Sequence, residues 1–393
     1  MCGAPEFRGA AFIWREVFMR FNRDHGLCVF LMLACAALCF APFNLTPGGA
    51  ERQSPENVSR HRARVVETDN SHVRVNLIIK TEEQLLKIRL LDGPHRGAEL
   101  EAINYLTGKM EMDEFYEPGQ TILVEYELSD GVPANARPRG VYRLNQQLML
   151  ILLFGVLLLL LAGWTGLNAI LSFILAALLL WRIFFPLLLQ GWPPMLTGLG
   201  LTALLTAVIT LAVGGLNRRG LAAFLGSMLG VLLTCGLAVL FTRTFHLHGA
   251  IRPFAETLLY SGHYELNLTG IFIASIFLAS SGAVMDLAMD IATAMHEVQM
   301  QHPAIGFRQH CLSGLRIGRA VIGTMTTTLL LAYSGSHITM FMLFIARGLP
   351  LENIFNTPLV AAEILNILVG SFGLVTVAPF TVLVAGLLFR KRR

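Results

Sequence analysis

Residues 148–181 read LMLILLFGVLLLLLAGWTGLNAILSFILAALLLW, thirty-four consecutive positions without a charged side chain. About 20 apolar residues in a helix cross the hydrocarbon core of a bilayer. The run therefore holds two spans, expected at residues 147–163 and 168–189. The same reading carried along the chain places helices at 195–215, 221–242, 268–292, 318–346 and 359–389. An apolar segment at 27–45, behind Arg8, Arg15, Arg20 and Arg23, is expected as a signal-anchor helix. The fold class that follows is an α-helical polytopic membrane protein with about eight transmembrane helices. Composition agrees, with 54% hydrophobic and 14% charged residues, where soluble domains carry about 25% charged.

The one long polar block is residues 46–146, and it reads as β. Alternating runs such as Ile122–Leu128 and turn signals at Asp92-Gly93-Pro94 and Glu117-Pro118-Gly119-Gln120 mark short strands. Strands are expected at Arg62–Glu67, Val73–Ile79, Leu85–Leu91, Glu99–Leu106 and Thr121–Leu128. Five in about 80 residues suggest a small all-β domain, an OB-like barrel by shape. The expected organisation is a leader (1–26), an anchor (27–45), an extracytoplasmic β domain (46–146), a seven-helix bundle (147–389) and a basic tail (390–393). Eight spans with both ends cytoplasmic put Arg218, Arg219, Arg308, Arg316 and the tail on the inner side, as the positive-inside rule asks. Arg182, Arg243, Arg252 and Arg347 are exceptions to it. Residues 242–267 are too long for a simple turn and are expected to form a re-entrant or interfacial segment.

Charged groups inside the apolar runs are the candidates for chemistry. Asp286 and Asp290 lie in IFLASSGAVMDLAMDIATAMHE, residues 276–297. A carboxylate among lipid-facing side chains costs roughly 2.5–3.5 kcal/mol on insertion scales. Four-residue spacing sets both on one helix face, where ionising both is opposed by their repulsion. Such a pair suits proton exchange or cation binding. Ser280, Ser281 and Gly282 precede it, and simple packing competes with a hydroxyl-lined path as their role. Arg319 opens the next helix and is the natural counter-ion of Asp290. Beyond it Gly323, Thr324 and Thr328 are expected to line the path, because four threonines in five positions suit a bundle interior better than lipid. Glu363 follows Pro358 on the last helix and, facing inward, would form the outer gate of that path. Pro379 is expected to kink this helix.

No Walker loop, nucleophile elbow, dinucleotide fingerprint or H-E-x-x-H occurs. An enzyme is therefore not expected, and neither a cofactor nor a metal is implied. His246-x-His248 would need two further ligands to hold an ion. The basic residues sit at loops and ends, which concerns topology and not nucleic acid. The expected partners are the lipid bilayer and, through residues 46–146, an envelope protein; a homo-oligomer stays open.

Several of these stretches resemble the YibE/F-like family of bacterial multi-pass membrane proteins, from about residue 62 to the last helix. In the outer domain the likeness rests on LLDGPHRG (90–97), GKME (108–111) and FYEPG (115–119). In the membrane it rests on GAVMD (282–286), IGR (317–319), GTM (323–325), TLLLAY (328–333) and GSFG (370–373). The resemblance implies an inner-membrane protein. It also marks two departures, Ala320 where the family pattern has Asp and Thr327 where Asn is common. A local likeness to the RND and SecD/SecF group, covering about 75 residues, suggests proton-driven work through Asp286. The function expected is proton- or cation-coupled secondary transport. Its rival is a non-transporting envelope assembly factor that docks a partner on the β domain.

Overall fold

The computed structural model describes Gly26, residues 28–39, 58–129, 132–214 and 217–390. The chain separates into two compact units, one of residues 50–163 and one of residues 1–49 with 164–393.

The first unit carries six strands: β1 (Val58–Asp69), β2 (Arg74–Asn76), β3 (Ile79–Leu90), β4 (Glu99–Thr107), β5 (Thr121–Ser129) and β6 (Val132–Val141). They run in the order β1-β5-β6-β4-β3-β2, and a further β1–β3 pairing closes five of them into a barrel, with β2 added as a hairpin on β3. This order is that of an OB-type barrel. Four of the five expected strands are present. The Val73–Ile79 expectation shrinks to β2, because Leu77 turns the chain with φ 59°. A strand not expected, β6, contains Pro133, Pro138 and Gly140. The alternation of side chains fills the barrel from within. Ala63 and Val65 meet Leu86, Ile88 and Leu90 across β1 and β3, with Ile122, Val124 and Tyr126 from β5.

Two polar devices fix this barrel. Gln84, wholly buried, donates to Tyr116 O at 2.8 Å and to Asn70 Oδ1 at 3.0 Å, and accepts from Tyr116 N and from Asn104. The second is the LDGP turn. Asp92 accepts from the Arg62 backbone amide at 2.9 Å and from Arg62 Nε at 2.6 Å, with His61 at 3.3 Å. Gly93 has φ 82°, and a Cβ there would strike the His61 ring. Burial opposes the charge on Asp92, yet the Arg62 hydrogen bonds and charge hold its carboxyl below the usual carboxylate range. A carboxyl depressed in the fold stabilises above its ordinary value of about 4 and loses that contribution as pH falls. Asp92→Asn is therefore expected to lower the stability of the barrel, read by calorimetry, by roughly 1 kcal/mol above about pH 5. Toward pH 3 the two proteins should converge. A gap that widens on acidification would contradict this account.

The helix α2 (Leu144–Trp164) follows, apolar beyond its first turn and without a charged residue. The second unit is helical: α1 (Cys28–Cys39), α3 (Gly166–Leu189), α4 (Pro194–Gly214), α5 (Arg218–Thr244), α6 (Ala255–Tyr260), α7 (Leu268–Gln301), α8 (Phe307–Gly335), α9 (Ile338–Ala346), α10 (Leu351–Asn356) and α11 (Pro358–Phe389). Among the described residues, five helices (α2, α3, α5, α7 and α11) are long and apolar enough to cross a membrane, and six if α8 and α9 count as one broken span. This is fewer than the eight expected. Among the described residues, the segments expected at 27–45 and 195–215 contain the shorter apolar helices Cys28–Cys39 and Pro194–Thr210. The span expected at 318–346 is bent by 65° between α8 and α9. The segment 242–267 folds as a 3-10 turn (Gly249–Ile251) and α6.

The core of the helical unit is α5, α7 and α11, packed through small residues. A Cβ at Gly226 would lie 2.2 Å from Thr381 Oγ1, and one at Gly373 would lie 2.0 Å from Thr234 Oγ1. Glycine at these crossings lets the backbones approach as closely as they do. Pro379 lies inside α11.

Candidate functional site

A buried charge cluster in the helical unit centres on Glu363. Pro358 starts α11, and five residues on, about 8 Å along the axis, Glu363 is 4% exposed. Arg252 forms a salt bridge to its Oε1 through Nη1. His337 Nε2 stands 3.3 Å from the same oxygen. No described residue donates to Oε2, so one face of the carboxyl is clamped and the other is open.

Each partner is placed for a local reason. The 3-10 turn before Arg252 presses against the start of α7: a Cβ at Gly249 would fall 2.0 Å from Leu268 O, and Gly249 N points to Thr269 Oγ1 at 3.3 Å. Only glycine allows that approach, and it carries Arg252 over the Phe272 ring, 5.2 Å from its centre. His337 stands in the break between α8 and α9, its Nδ1 3.2 Å from Tyr333 O. A hydrogen on Nε2 lets the ring donate to Glu363. One turn along α11, Asn366 is 6% exposed and its Oδ1 is buried without a hydrogen bond. The polar seam continues through Ser280 against Gly370 and Thr234 against Gly373.

The aspartates are placed differently. Asp286 and Asp290 are both exposed on α7. They belong to one exposed stripe of small and polar side chains that includes Ser275, Ala279, Thr293 and Glu297. Counted from Leu268 at about 1.5 Å per residue, Asp286 lies about 27 Å along the helix and Asp290 about 33 Å. A hydrocarbon core is about 30 Å thick. The pair therefore falls near one limit of such a core when α7 enters it at Leu268, where an exposed carboxylate is tolerated. The expected pairing of Arg319 with Asp290 does not form; Arg319 is exposed and makes no salt bridge among the described residues.

The residues expected to line a path do not converge on Asp286. Ser280 is buried and Ser281 half-buried, and their hydroxyls donate to Phe277 O and Leu278 O in their own helix. Gly282 has no atom within 4 Å of where a Cβ would stand. Gly323, Thr324 and Thr328 are exposed on α8, and the two threonines also donate back to helix carbonyls. Nor does Glu363 adjoin Asp286. Phe272, beside Arg252, precedes Asp286 by fourteen residues, about 21 Å along α7.

Sequence reasoning picked out Glu363 and missed both of its partners. Arg252 had a signal, since it sat where the positive-inside rule disfavours arginine. His337 had none, being a lone histidine in an apolar region. Among the described residues, no three His, Cys, Asp or Glu side chains gather in a way that could hold a metal ion.

Comparison with known proteins gives two matches. Residues 150–391 match the model described as YibE/F-like protein, and residues 58–135 match the YibE/F family N-terminal domain. No curated protein and no solved structure matches the chain.

Proposed function

Because the chain belongs to the YibE/F-like family of proteins, we propose that it is a multi-span membrane protein performing proton- or cation-coupled secondary transport through intramembrane carboxylates. The observation that carries this reading is Glu363. A carboxyl buried among apolar helices is costly and is retained where its charge is used. Here one oxygen is held by Arg252 and His337 while Oε2 is free to take a proton. Neutralising Glu363 breaks the attraction to both partners, which sit on separate elements, and so biases a two-state packing. Asp286 and Asp290 form a second, more exposed station about 21 Å or more further along α7. The chain works in the bacterial inner membrane with both termini cytoplasmic and the barrel outside; the distribution of arginines supports that orientation. It catalyses no covalent reaction in this reading.

In proteoliposomes, Glu363→Gln is expected to reduce pH-gradient-driven proton flux to the level of empty vesicles, while Asp286→Asn retains a measurable rate. Wild-type flux from Glu363→Gln would sink the proposal.

One observation favours the envelope-partner reading. The barrel is joined between β4 and β6 by a single parallel bridge, Ala102 with Ala136. A cleft of about 900 Å³ opens there, lined by Ile103, Tyr105, Pro133 and Arg137 among others. Unpaired strand edges beside apolar side chains accept an extended peptide. Under that reading deletion of residues 60–140 removes function and Glu363→Gln does not.

A further inference from the structure

A cleft of about 540 Å³ adjoins the ion pair. Its walls are apolar, from Leu258, Leu268, Ile271 and Phe272, and no acidic side chain lines it. Three polar residues line it: Arg252, Ser275, whose hydroxyl donates to Phe272 O, and Asn366, whose Oδ1 has no hydrogen bond. The volume falls within the range of small-molecule sites, and an apolar wall with a few convergent polar groups is their usual make-up.

We propose that this cleft binds an apolar monoanion, with its acid group on Arg252 and Asn366 and its body against Phe272, and that a proton enters Glu363 as the anion binds. The inference rests on the coupling reading above and names its substrate class. Arg252 is the cation lining the cleft, and Glu363 holds it. A second carboxylate can take the guanidinium only if the first gives it up, because two carboxylates on one arginine in an apolar site leave a net buried charge. A proton on Oε2 neutralises Glu363 and releases Arg252. The Asn366 side chain, whose Oδ1 has no partner, rotates about its last bond to bring its N–H group to the incoming acid. Proton and anion thus favour each other's binding, and the linkage is reciprocal. When Glu363 gives the proton up it reclaims Arg252 and expels the anion. The other titratable groups set against Glu363 are His337, from the α8–α9 break, and Tyr333 from α8. His337 faces the same Oε1 as Arg252 and so stays on the clamped side of the carboxyl.

The test is calorimetric titration of octanoate into the full chain in phosphatidylcholine nanodiscs, in two buffers of unlike ionisation enthalpy. Ala279→Phe, which fills the cleft away from the ion pair, supplies the background. The expected result is saturable binding with about one proton taken up per octanoate, and none for octylammonium. Arg252→Gln should weaken binding about tenfold or more. Glu363→Gln should bind without proton uptake, and His337→Gln should keep the uptake. Octylammonium binding equally well would overturn the anion assignment. Uptake lost in His337→Gln and kept in Glu363→Gln would overturn the linkage. Signal abolished by adding phosphatidylglycerol would make the occupant a lipid headgroup and overturn the free-anion assignment. Glu363-dependent proton flux without octanoate binding would overturn this inference and leave the coupling reading standing; octanoate binding without Glu363-dependent flux would do the reverse.

Discussion

Replacing Arg252 by alanine is expected to destabilise the helical unit by about 3 kcal/mol, the low end for removing one partner of a buried ion pair. The low end applies because the Arg252 side chain keeps 30% exposure, whereas Glu363 keeps 5%. The cost arises less from the lost attraction than from what is left behind, an ionised carboxyl among apolar helices with only His337 beside it. The double variant Arg252→Ala/Glu363→Gln removes that stranded charge and should recover most of the loss. Thermal midpoints in one detergent, compared across the four proteins, give the coupling directly. Equal losses in the single and double variants would mean that the pair does not carry the energy.

The second large effect is expected in the barrel. Gln84→Leu should cost about 2–6 kcal/mol, because it strands the amide and the carbonyl of Tyr116 together in the core, each at roughly 1–3 kcal/mol. Leucine fits the space and answers neither group. Gln84→Glu makes a sharper comparison: an ionised carboxylate accepts from Tyr116 N but has nothing to donate to Tyr116 O or Asn70. Its deficit should shrink on acidification, when the protonated acid regains one donor. Calorimetry of the full chain reads both variants, and a Gln84→Leu protein as stable as wild type would refute the network's role.

What the sequence made legible depended on whether a signal is local. Strands β1, β3, β4 and β5 were expected because their alternation is intact over several residues. β6 was not, since Pro133, Pro138 and Gly140 mark it as a turn. It persists because β5 supplies a long antiparallel partner on one side while its other side is nearly unpaired, and unpaired edges are where proline is tolerated. In the bundle, hydropathy located the helices and could not show the break at Ser336–His337, which reads as one continuous apolar span. The aspartate pair drew attention by its cost, yet cost does not say which way a side chain faces. Burial depends on neighbours contributed by α5, α8 and α11, and those are set by tertiary packing. Glu363 was legible as a charge; the clamp around it depends on Arg252, 111 residues away in the chain, and on a helix break.

The broken helix has a mechanical consequence. α9 has nine residues, none of them buried, and so forms an arm about 13 Å long that pivots at the residue touching Glu363. Turning such an arm by about 10° carries its tip about 2 Å, by simple trigonometry on that length. Under such a turn the break would act as a lever: a displacement too small to disturb the packed core at the pivot would become, at the far end, wide enough to admit or exclude an atom.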